Sequence, residues 1–289
     1  MGNKKILVTG AYGLLGTILC KHLEVEGYNV YRHGRKKSRD EFFNLKSYVN
    51  LKNNLDRIKP NIIINLLALT NVELCEKNFS KALDLNAIYL KNFSKYLNST
   101  QKKLNFIHIS TDQVYSGEGP HFENEVNPIN NYALTKYFGE IIINPNKTLI
   151  LRTNFVGKSE NKERKSLTDW FISNIKKNKK ITLYKNIYFN PLEINYLSSI
   201  IIKIMHRNIS GTFNLGARGG LSKAEFLLRL GKKLKLNLKK CKVSKITFSK
   251  KTTVRPTNMI MNCKKFEKVF KIKLPSLQNQ IIKTSKTYI

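Results

Sequence analysis

The feature that most constrains the fold of this chain is a spaced set of glycines directly after its first apolar run. Lys5–Thr9 (KILVT) has the pattern of a buried strand. Gly10, Gly13 and Gly16 follow it, where an amphipathic helix begins. Glycines at this spacing permit a tight turn and a close approach of the backbone to a phosphate, and the helix N-terminus offers N–H groups to it. The motif therefore predicts a dinucleotide site in a strand–turn–helix unit.

Strand and helix patterns alternate through the first half of the chain. Further strands are predicted at Asn29–Tyr31, Asn61–Leu67, Leu104–Ser110 and Thr148–Arg152, and helices at Leu14–Glu26, Ser80–Asn98 and Tyr132–Ile142. Such alternation is typical of βαβ units in a parallel sheet. After about Gly157 the pattern loosens into lysine-rich helices and short strands, with a capping box predicted at Ser222–Glu225. We predict an α/β fold, with a doubly wound parallel Rossmann sheet in residues 1–157. A smaller substrate-binding lobe is predicted in residues 158–289, some segments of which return to the first domain.

The net charge indicates the class of ligand. The 52 Lys and Arg residues outnumber the 19 Asp and Glu residues, which gives a net charge of +33, and most of the excess lies in the second half. The lysines are scattered along predicted helix faces and are not grouped with aromatic residues into a nucleic-acid motif. We therefore interpret most of them as a solvated surface, and the charge as favouring small anionic ligands such as nucleotide phosphates over nucleic acid.

The cysteines and apolar runs indicate the compartment. Cys20, Cys75, Cys241 and Cys263 are widely spaced, which argues against a disulfide scaffold and against a structural zinc site. We predict no metal site. No apolar run reaches the length of a membrane span, and the first strand begins within five residues of the N-terminus. These observations predict a soluble, cytoplasmic protein.

The end of the second predicted strand bears on the identity of the dinucleotide. NAD-binding folds usually present an acidic residue there to the ribose hydroxyls. This chain instead has Arg32 and Arg35, and the segment that starts at Val30 contains no carboxylate before Asp40. Guanidinium groups suit the 2′-phosphate of NADPH. NADPH is therefore the favoured cofactor, with NADH left open.

A tyrosine and a lysine four residues apart form a candidate catalytic pair. Tyr132 and Lys136 share one face of a predicted helix, where the ammonium favours the ionised form of the phenol and suits it to proton transfer. Tyr48 and Lys52 have the same spacing, so the pair alone is weak. Context favours Tyr132, because Thr111 ends a predicted parallel strand and can hydrogen-bond the substrate oxygen that Tyr132 protonates.

Longer segments around these residues resemble one enzyme family. His108–Gly117 (HISTDQVYSG) and Asn127–Glu140 (NPINNYALTKYFGE) are similar to the dTDP-4-dehydrorhamnose reductase family of extended short-chain dehydrogenases/reductases. The similarity continues in family order through Asn65–Glu73, Leu151–Gly157 and Arg255–Asn258. The family uses NAD(P)H to reduce the 4-keto group of a nucleotide-linked 6-deoxyhexose. The resemblance implies that reaction here, on a nucleotide-sugar substrate in the synthesis of surface polysaccharide such as dTDP-rhamnose products.

The resemblance also implies residue roles. Tyr132 would donate the proton, Lys136 would hold the nicotinamide ribose, and Thr111 would tune the pair. The implied cofactor contacts are Gly13, Leu14, Leu15, Ala68, Leu69, Thr70 and Ile109, and the implied sugar contacts are Thr111, Asp112 and Phe155, where the family often has Trp. Asn86 matches an asparagine in the helix that borders the site. Arg255 is the best candidate for binding the nucleoside diphosphate.

Other functions remain open from the sequence. A nucleotide-sugar epimerase would keep its nicotinamide cofactor bound, and a dehydratase is disfavoured because Gln113 follows Asp112. A non-catalytic NADP-binding subunit, like the regulatory β subunit of methionine adenosyltransferase, would share the fold. The sequence also leaves a homodimer open.

Overall fold

The structure, a computed structural model, describes residues 4–34, 41–100, 104–161, 164–248 and 252–289. The predicted cofactor residue Arg35 lies outside these ranges. The chain forms two compact units, each discontinuous in sequence. The first comprises Met1–Thr111, Asn130–Leu151 and Ser198–Thr212, and the second comprises Asp112–Ile129, Arg152–Leu197 and Phe213–Ile289. The division of roles between residues 1–157 and 158–289 stays a prediction. None of the helices in the described ranges is long and apolar enough to cross a bilayer.

The described ranges contain a six-stranded sheet. In chain order its strands are β1 (Lys5–Thr9), β2 (Asn29–His33), β3 (Ile62–Asn65), β4 (Asn105–Thr111), β5 (Leu149–Thr153) and β10 (Gly211–Leu215). Their order across the sheet is β10-β5-β4-β3-β1-β2. β1 pairs in parallel with both β2 and β3, and β3 pairs in parallel with β4. The predicted α/β class with a parallel Rossmann-type sheet is confirmed.

The sheet, in which β1 and β3 are largely apolar, is covered by helices of the first unit. They are α1 (Leu14–Val25), α2 (Tyr48–Ile58), α3 (Val72–Lys77), α4 (Phe79–Leu83), α5 (Leu90–Ser99) and α6 (Asn131–Ile142). Leu7 of β1 and Ile63 of β3 are fully buried in one core cluster with Leu51 of α2 and Phe93 of α5. Strands buried on both faces read as continuous apolar runs, which explains the sequence pattern of β1 and β3.

The strand order fixes where a ligand can bind. The chain leaves β2 at one edge and next enters the sheet at β3, on the other side of β1, so the order reverses between β1 and β3. In open α/β sheets the crevice at the carboxyl ends of the strands flanking such a reversal holds the ligand. Thr9 and Asn65, the last residues of β1 and β3, mark that point.

The single helix predicted for Ser80–Asn98 is wrong in detail, because a π-helical turn, Asp84–Ile88, separates α4 from α5. Such turns occur frequently at functional sites. Asn86 lies in this turn, close against α6: a Cβ on Gly139 would lie 2.4 Å from the Asn86 carbonyl oxygen. The glycine therefore allows α6 to approach the turn.

The second unit is built from short ladders and helices. Its strands are β6 (Phe155–Val156), β7 (Ile181–Tyr184), β8 (Tyr188–Phe189), β9 (Leu192–Glu193), β11 (Leu221–Ser222) and β12 (Cys241–Ser244), paired as β6–β9, β7–β12 and β8–β11. The later helices are α7 (Leu167–Lys176), α8 (Ile194–Ile204), α9 (Lys223–Lys233), α10 (Lys264–Phe270) and α11 (Leu277–Lys286), with α8 extending into the first unit from Ser198. At the predicted capping box, the Ser222 hydroxyl accepts from the Glu225 N–H at 3.1 Å, whereas the Glu225 carboxylate pairs with Arg229.

Candidate active site

The turn between β1 and α1 leaves no room for a side chain at two of its glycines. Gly10 has a φ of +71°, and a Cβ there would lie 2.8 Å from the Leu66 carbonyl carbon. A Cβ on Gly16 would lie 2.4 Å from the Gly10 oxygen. Larger residues at either position would push the turn away from β3 or α1. The glycine motif is therefore a structural necessity of this turn.

The first turn of α1 presents backbone donors at the same place. No side chain in the described ranges caps the helix at Gly13. The N–H groups of Leu14, Leu15 and Gly16 have no intrahelical acceptor, because they belong to the first helical turn. An anion at this point would satisfy them and gain from the helix dipole. These residues fit the pyrophosphate of a dinucleotide.

Arg32 lies near the end of β2, where the sequence predicts a 2′-phosphate contact. Its guanidinium forms an ion pair with Glu24 of α1, with an N–O distance of 2.7 Å, and both side chains are partly exposed. Arg32 therefore shares its charge with an acidic neighbour, a pairing that the sequence analysis missed. An exposed pair of this kind contributes little to stability, so Arg32 can exchange Glu24 for a ligand phosphate.

The segment after β3 is fixed by Asn86. Its Oδ1 accepts from the Leu69 N–H at 2.7 Å, and its Nδ2 donates to the Leu69 oxygen at 3.2 Å and to Thr135 Oγ1 at 3.0 Å. Ala68 and Leu69 are half-buried and Thr70 is exposed. Asn86 thus holds the backbone of the predicted cofactor-lining segment from within the helix layer.

Tyr132 and Lys136 lie on α6, and both are buried, with 7% and 2% of their surface exposed. Asn130 begins this helix by accepting from the Ala133 N–H at 2.9 Å. Tyr132 packs with Cys75 of α3 and the half-buried Leu69. On the side facing the sheet, α6 packs against β4. This strand ends at the buried Thr111. Tyr132, Lys136 and Thr111 therefore belong to one unit.

The Lys136 ammonium is held in a dry, polar environment. Its Nζ donates to the Ile109 oxygen at 2.8 Å and lies 3.3 Å from His108 Nε2. Burial lowers the pKa of Lys136 to about 8, and the nearby Glu140 carboxylate opposes that shift. Ser110 Oγ in turn donates to Glu140 Oε1 at 2.5 Å. A buried lysine with its pKa near neutrality is typical of a functional site.

Two buried polar residues behind Lys136 were missed by the sequence analysis. Asn65 Nδ2 lies 2.7 Å from His108 Nδ1, and the Asn65 carboxamide also contacts Thr9 Oγ1 at 2.5 Å and the Tyr89 hydroxyl at 3.0 Å. Burial, and then the charge of Lys136, hold the pKa of His108 well below its usual range. The available signal was a polar residue with apolar neighbours on both sides inside a predicted buried strand: Asn65 in NIIINLL and His108 in LNFIHIS.

The alternative pair Tyr48 and Lys52 has no comparable setting. The Lys52 ammonium pairs with Asp56 at 2.6 Å, and Tyr48 carries the Lys95 ammonium 4.2 Å above its ring. These contacts lie on the outer part of α2 and do not involve the strand ends. Tyr48 is therefore not a candidate for proton transfer.

Of the predicted substrate contacts, Thr111 lies in the first unit, and Asp112, Phe155 and Arg255 lie in the second. Asp112 is 1% exposed and accepts from Asn154 Nδ2 at 2.6 Å. Phe155 is half-buried on β6, and Arg255 is exposed.

Lys223, at the start of α9, is a further cation that the sequence analysis treated only as part of a capping motif. Its Nζ lies 5.9 Å from the centre of the Phe189 ring. Burial lowers the pKa of Lys223, Asp112 opposes that shift and Arg255 adds to it. Asp112 and Arg255 therefore both lie close enough to Lys223 to act on its charge. Within the described ranges, no three His, Cys, Asp or Glu side chains are grouped as a metal site.

The chain matches a family model over nearly its whole length. Residues 4–289 fit the model described as RmlD substrate binding domain. The spore coat polysaccharide biosynthesis protein SpsK of Bacillus subtilis is 34% identical over 157 residues, an alignment that spans about half of each chain (53% and 53%). The probable low-salt glycan biosynthesis reductase Agl14 of Haloferax volcanii is 26% identical over 235 residues, 76% of each chain. Methionine adenosyltransferase 2 subunit beta of Xenopus tropicalis is 25% identical over 92% of this chain and 83% of its own length.

Solved structures share the fold. The dTDP-4-dehydrorhamnose reductase of Bacillus anthracis, crystallised in complex with NADP, superposes with a TM-score of 0.83, covering 98% of each chain at 24% identity. At this identity the likeness establishes the architecture only.

Proposed function

The chain belongs to the RmlD substrate-binding domain family, and on that premise we propose that it is an NADPH-dependent reductase. Its substrate is a nucleotide-linked 6-deoxyhexose whose 4-keto group is reduced, and the product is used in the synthesis of surface polysaccharide. NADH is the alternative coenzyme. The observation that carries this proposal is the buried Lys136, held by Ile109 on β4 and one helical turn from the buried Tyr132. The similarity to SpsK, a spore coat polysaccharide biosynthesis protein, and to Agl14, a probable glycan biosynthesis reductase, supports the polysaccharide context.

Tyr132 is the proton donor in this proposal. The hydride that reduces the sugar carbonyl would come from NADPH when it is bound. Tyr132 gives its proton to the carbonyl oxygen, and Thr111 donates a hydrogen bond to the same oxygen. Because Tyr132 and Thr111 are almost fully buried, water competes little for this oxygen once the sugar is in place.

Lys136 orients the cofactor and acts on the charge of the site. Its Nζ has one donor fixed on Ile109, which leaves donors for the nicotinamide ribose. In a dry site, its ammonium stabilises the negative charge that develops on Tyr132 as the proton leaves. Both effects require the protonated form of Lys136. Activity should therefore fall as the pH rises above the Lys136 pKa of about 8.

The substrate class is proposed from the charges of the second unit. Asp112 and the position of Phe155 contact the sugar, and Arg255 contacts the nucleoside diphosphate. Lys223, which shares the environment of Arg255 and Asp112, adds a second cation for the diphosphate. We further propose that the protein acts in the cytoplasm, does not bind nucleic acid or membrane, and forms a homodimer.

A panel assay tests the proposal. Purified protein is mixed with NADPH and, separately, with dTDP-, GDP-, UDP- and CDP-linked 4-keto-6-deoxy sugars, and loss of NADPH absorbance is followed. Turnover with one member of the panel that is abolished in Tyr132→Phe supports the reductase. Interconversion of sugars without net loss of NADPH would indicate an epimerase instead.

A regulatory subunit is the second candidate, and one observation favours it. The likeness to methionine adenosyltransferase 2 subunit beta extends over 92% of this chain. A non-catalytic subunit would bind NADPH, form a stable complex with a partner enzyme and turn over no sugar. The retained Tyr132, Lys136 and Thr111 favour catalysis over this alternative.

A further inference from the structure

We propose that His108 is a positioning residue for Lys136: its neutral imidazole accepts a hydrogen bond from the ammonium through Nε2 and is itself oriented by Asn65. The catalytic consequence rests on the proposed reductase function. The hydrogen-bond arrangement does not, so it can be tested without substrate.

The sheet register places the participating residues in one row. Thr9 of β1 is the register partner of Asn65 of β3, and Asn65 is the partner of His108 of β4. Paired residues of parallel strands project to the same face of the sheet. Their side-chain contacts, 2.5 Å and then 2.7 Å, continue at 3.3 Å to Lys136 Nζ. A polar chain thus links the strand that precedes the glycine turn to the catalytic helix.

The protonation states follow from the contacts. His108 is fully buried and its pKa is far below the usual range, so it is neutral and has one donor and one acceptor nitrogen. Lys136 is an ammonium at neutral pH and can only donate. Nε2 must therefore be the acceptor, and Nδ1 carries the proton toward Asn65.

The Asn65 side chain can accept a hydrogen bond from the protonated Nδ1 of His108. The other neighbours of its carboxamide are the hydroxyls of Thr9 and Tyr89, which either donate or accept. The carboxamide can therefore turn its oxygen to Nδ1 and its amide to the hydroxyls. The Tyr89 hydroxyl then donates to the Leu67 oxygen, 3.2 Å away. In this arrangement the Asn65 and His108 side chains are satisfied.

The arrangement has two effects on Lys136. Ile109 and His108 take two of the three ammonium donors, which directs the third to the cofactor and substrate. A neutral acceptor also favours the charged form, so its loss would lower the pKa of Lys136 below about 8. The other charged or titratable groups at this lysine are Glu140, which raises its pKa, and Tyr132, one turn earlier on α6.

The first test is ¹⁵N NMR of the histidine rings in the full-length, substrate-free protein, with His108→Gln used to assign the signal. We expect a protonated Nδ1 and an unprotonated Nε2 at neutral pH. A proton on Nε2, or a doubly protonated ring, would overturn the proposal whatever the protein's substrate is.

The second test compares two substitutions by length. The glutamine side chain in His108→Gln can place its oxygen near the former Nε2, whereas the shorter side chain in His108→Asn reaches only as far as the former Nδ1. Thermal unfolding and the Kd for NADPH serve as controls. We expect His108→Asn to lower kcat about tenfold and to shift the alkaline limb of the kcat–pH profile down by about one pH unit. His108→Gln should retain most of the wild-type rate and limb. If both variants fold and have the same kcat and the same alkaline limb, the positioning role of His108 is contradicted. If the wild-type protein is inactive on every substrate, the reductase function is contradicted, and the NMR result alone tests the hydrogen-bond arrangement.

Discussion

The Nζ of Lys136 on α6 lies 2.8 Å from the main-chain oxygen of Ile109 on β4. This contact fixes the lysine to the strand whose end carries Thr111, and not merely to its own helix. Because Lys136 is almost completely buried, the contact also replaces a hydrogen bond that water would otherwise supply. Helix α6 and strand β4 are therefore joined at the residue on which the proposed chemistry depends.

Replacing Tyr132 with Phe removes only the proposed proton donor. We expect kcat to fall by at least about 100-fold, because general acid catalysis contributes that much or more, while the Kd for NADPH changes little. Steady-state kinetics and fluorescence titration with NADPH measure the two effects. Tyr48→Phe is the matched control, since Tyr48 begins α2 with the same spacing to a lysine, and it should be fully active. A fully active Tyr132→Phe would refute the assigned donor.

Replacing Lys136 with Met should make the fold more stable at neutral pH while abolishing activity. The folded-state pKa of about 8 lies below the ordinary 10.5, so the unfolded chain binds more protons between these values and stability rises with pH there. Below pH 8 the buried ammonium costs up to roughly 3 kcal/mol, which Met removes. Urea unfolding at pH 7 and pH 10 should show a gain for Lys136→Met that shrinks at the higher pH. A gain or loss that is independent of pH would contradict the assigned burial cost.

Substitutions of Arg32 and Glu24 should change the affinity for NADPH in opposite directions. Arg32→Ala should raise the Kd for NADPH about tenfold and leave that for NADH nearly unchanged, because only NADPH carries the 2′-phosphate. Glu24→Gln should tighten NADPH binding a few-fold, since it frees Arg32 from its ion pair. Isothermal titration with both cofactors measures these changes. Equal losses for NADPH and NADH in Arg32→Ala would show that Arg32 does not bind the 2′-phosphate.

Lys223 and Arg255 should act on the nucleotide sugar and not on NADPH. We expect Lys223→Met and Arg255→Ala each to raise KM for the sugar nucleotide about tenfold, with the NADPH Kd unchanged, because each would remove one charge-assisted contact to the diphosphate. Lys232→Met is the control, since Lys232 is an exposed cation on the same helix as Lys223. If all three variants behave alike, general attraction by the surface charge explains the substrate binding.

The sequence predicted the parts of the molecule that depend on local pattern. β1 is identical to the predicted Lys5–Thr9, and α6 differs by one residue, because a buried parallel strand and a capped amphipathic helix have strong local signals. The interruption of the helix around Asn86 was not predictable, because it depends on the close approach of Gly139 and on a hydrogen bond to Leu69. Local propensity carries no information about such tertiary contacts.

For the candidate site, the sequence indicates the motifs but not the contacts that support them. Tyr132, Lys136 and Thr111 stand in recognisable segments. Asn65 and His108 appear as isolated polar residues in apolar strands, and only the register of β3 with β4 brings them together. The pairing of Arg32 with Glu24 likewise requires the packing of α1 beside β2.

The most direct test of the central claim is to follow the hydride itself. The protein is incubated with NADPH carrying deuterium at the transferable position of C4 and with the 4-keto sugar nucleotide that it turns over, and the product is examined by mass spectrometry and NMR. We expect one deuterium on C4 of the reduced sugar from the wild-type protein, and at least about 100-fold less of this labelled product from Tyr132→Phe in the same time. Unlabelled sugar in the presence of bound NADPH, across the whole panel of sugar nucleotides, would contradict it.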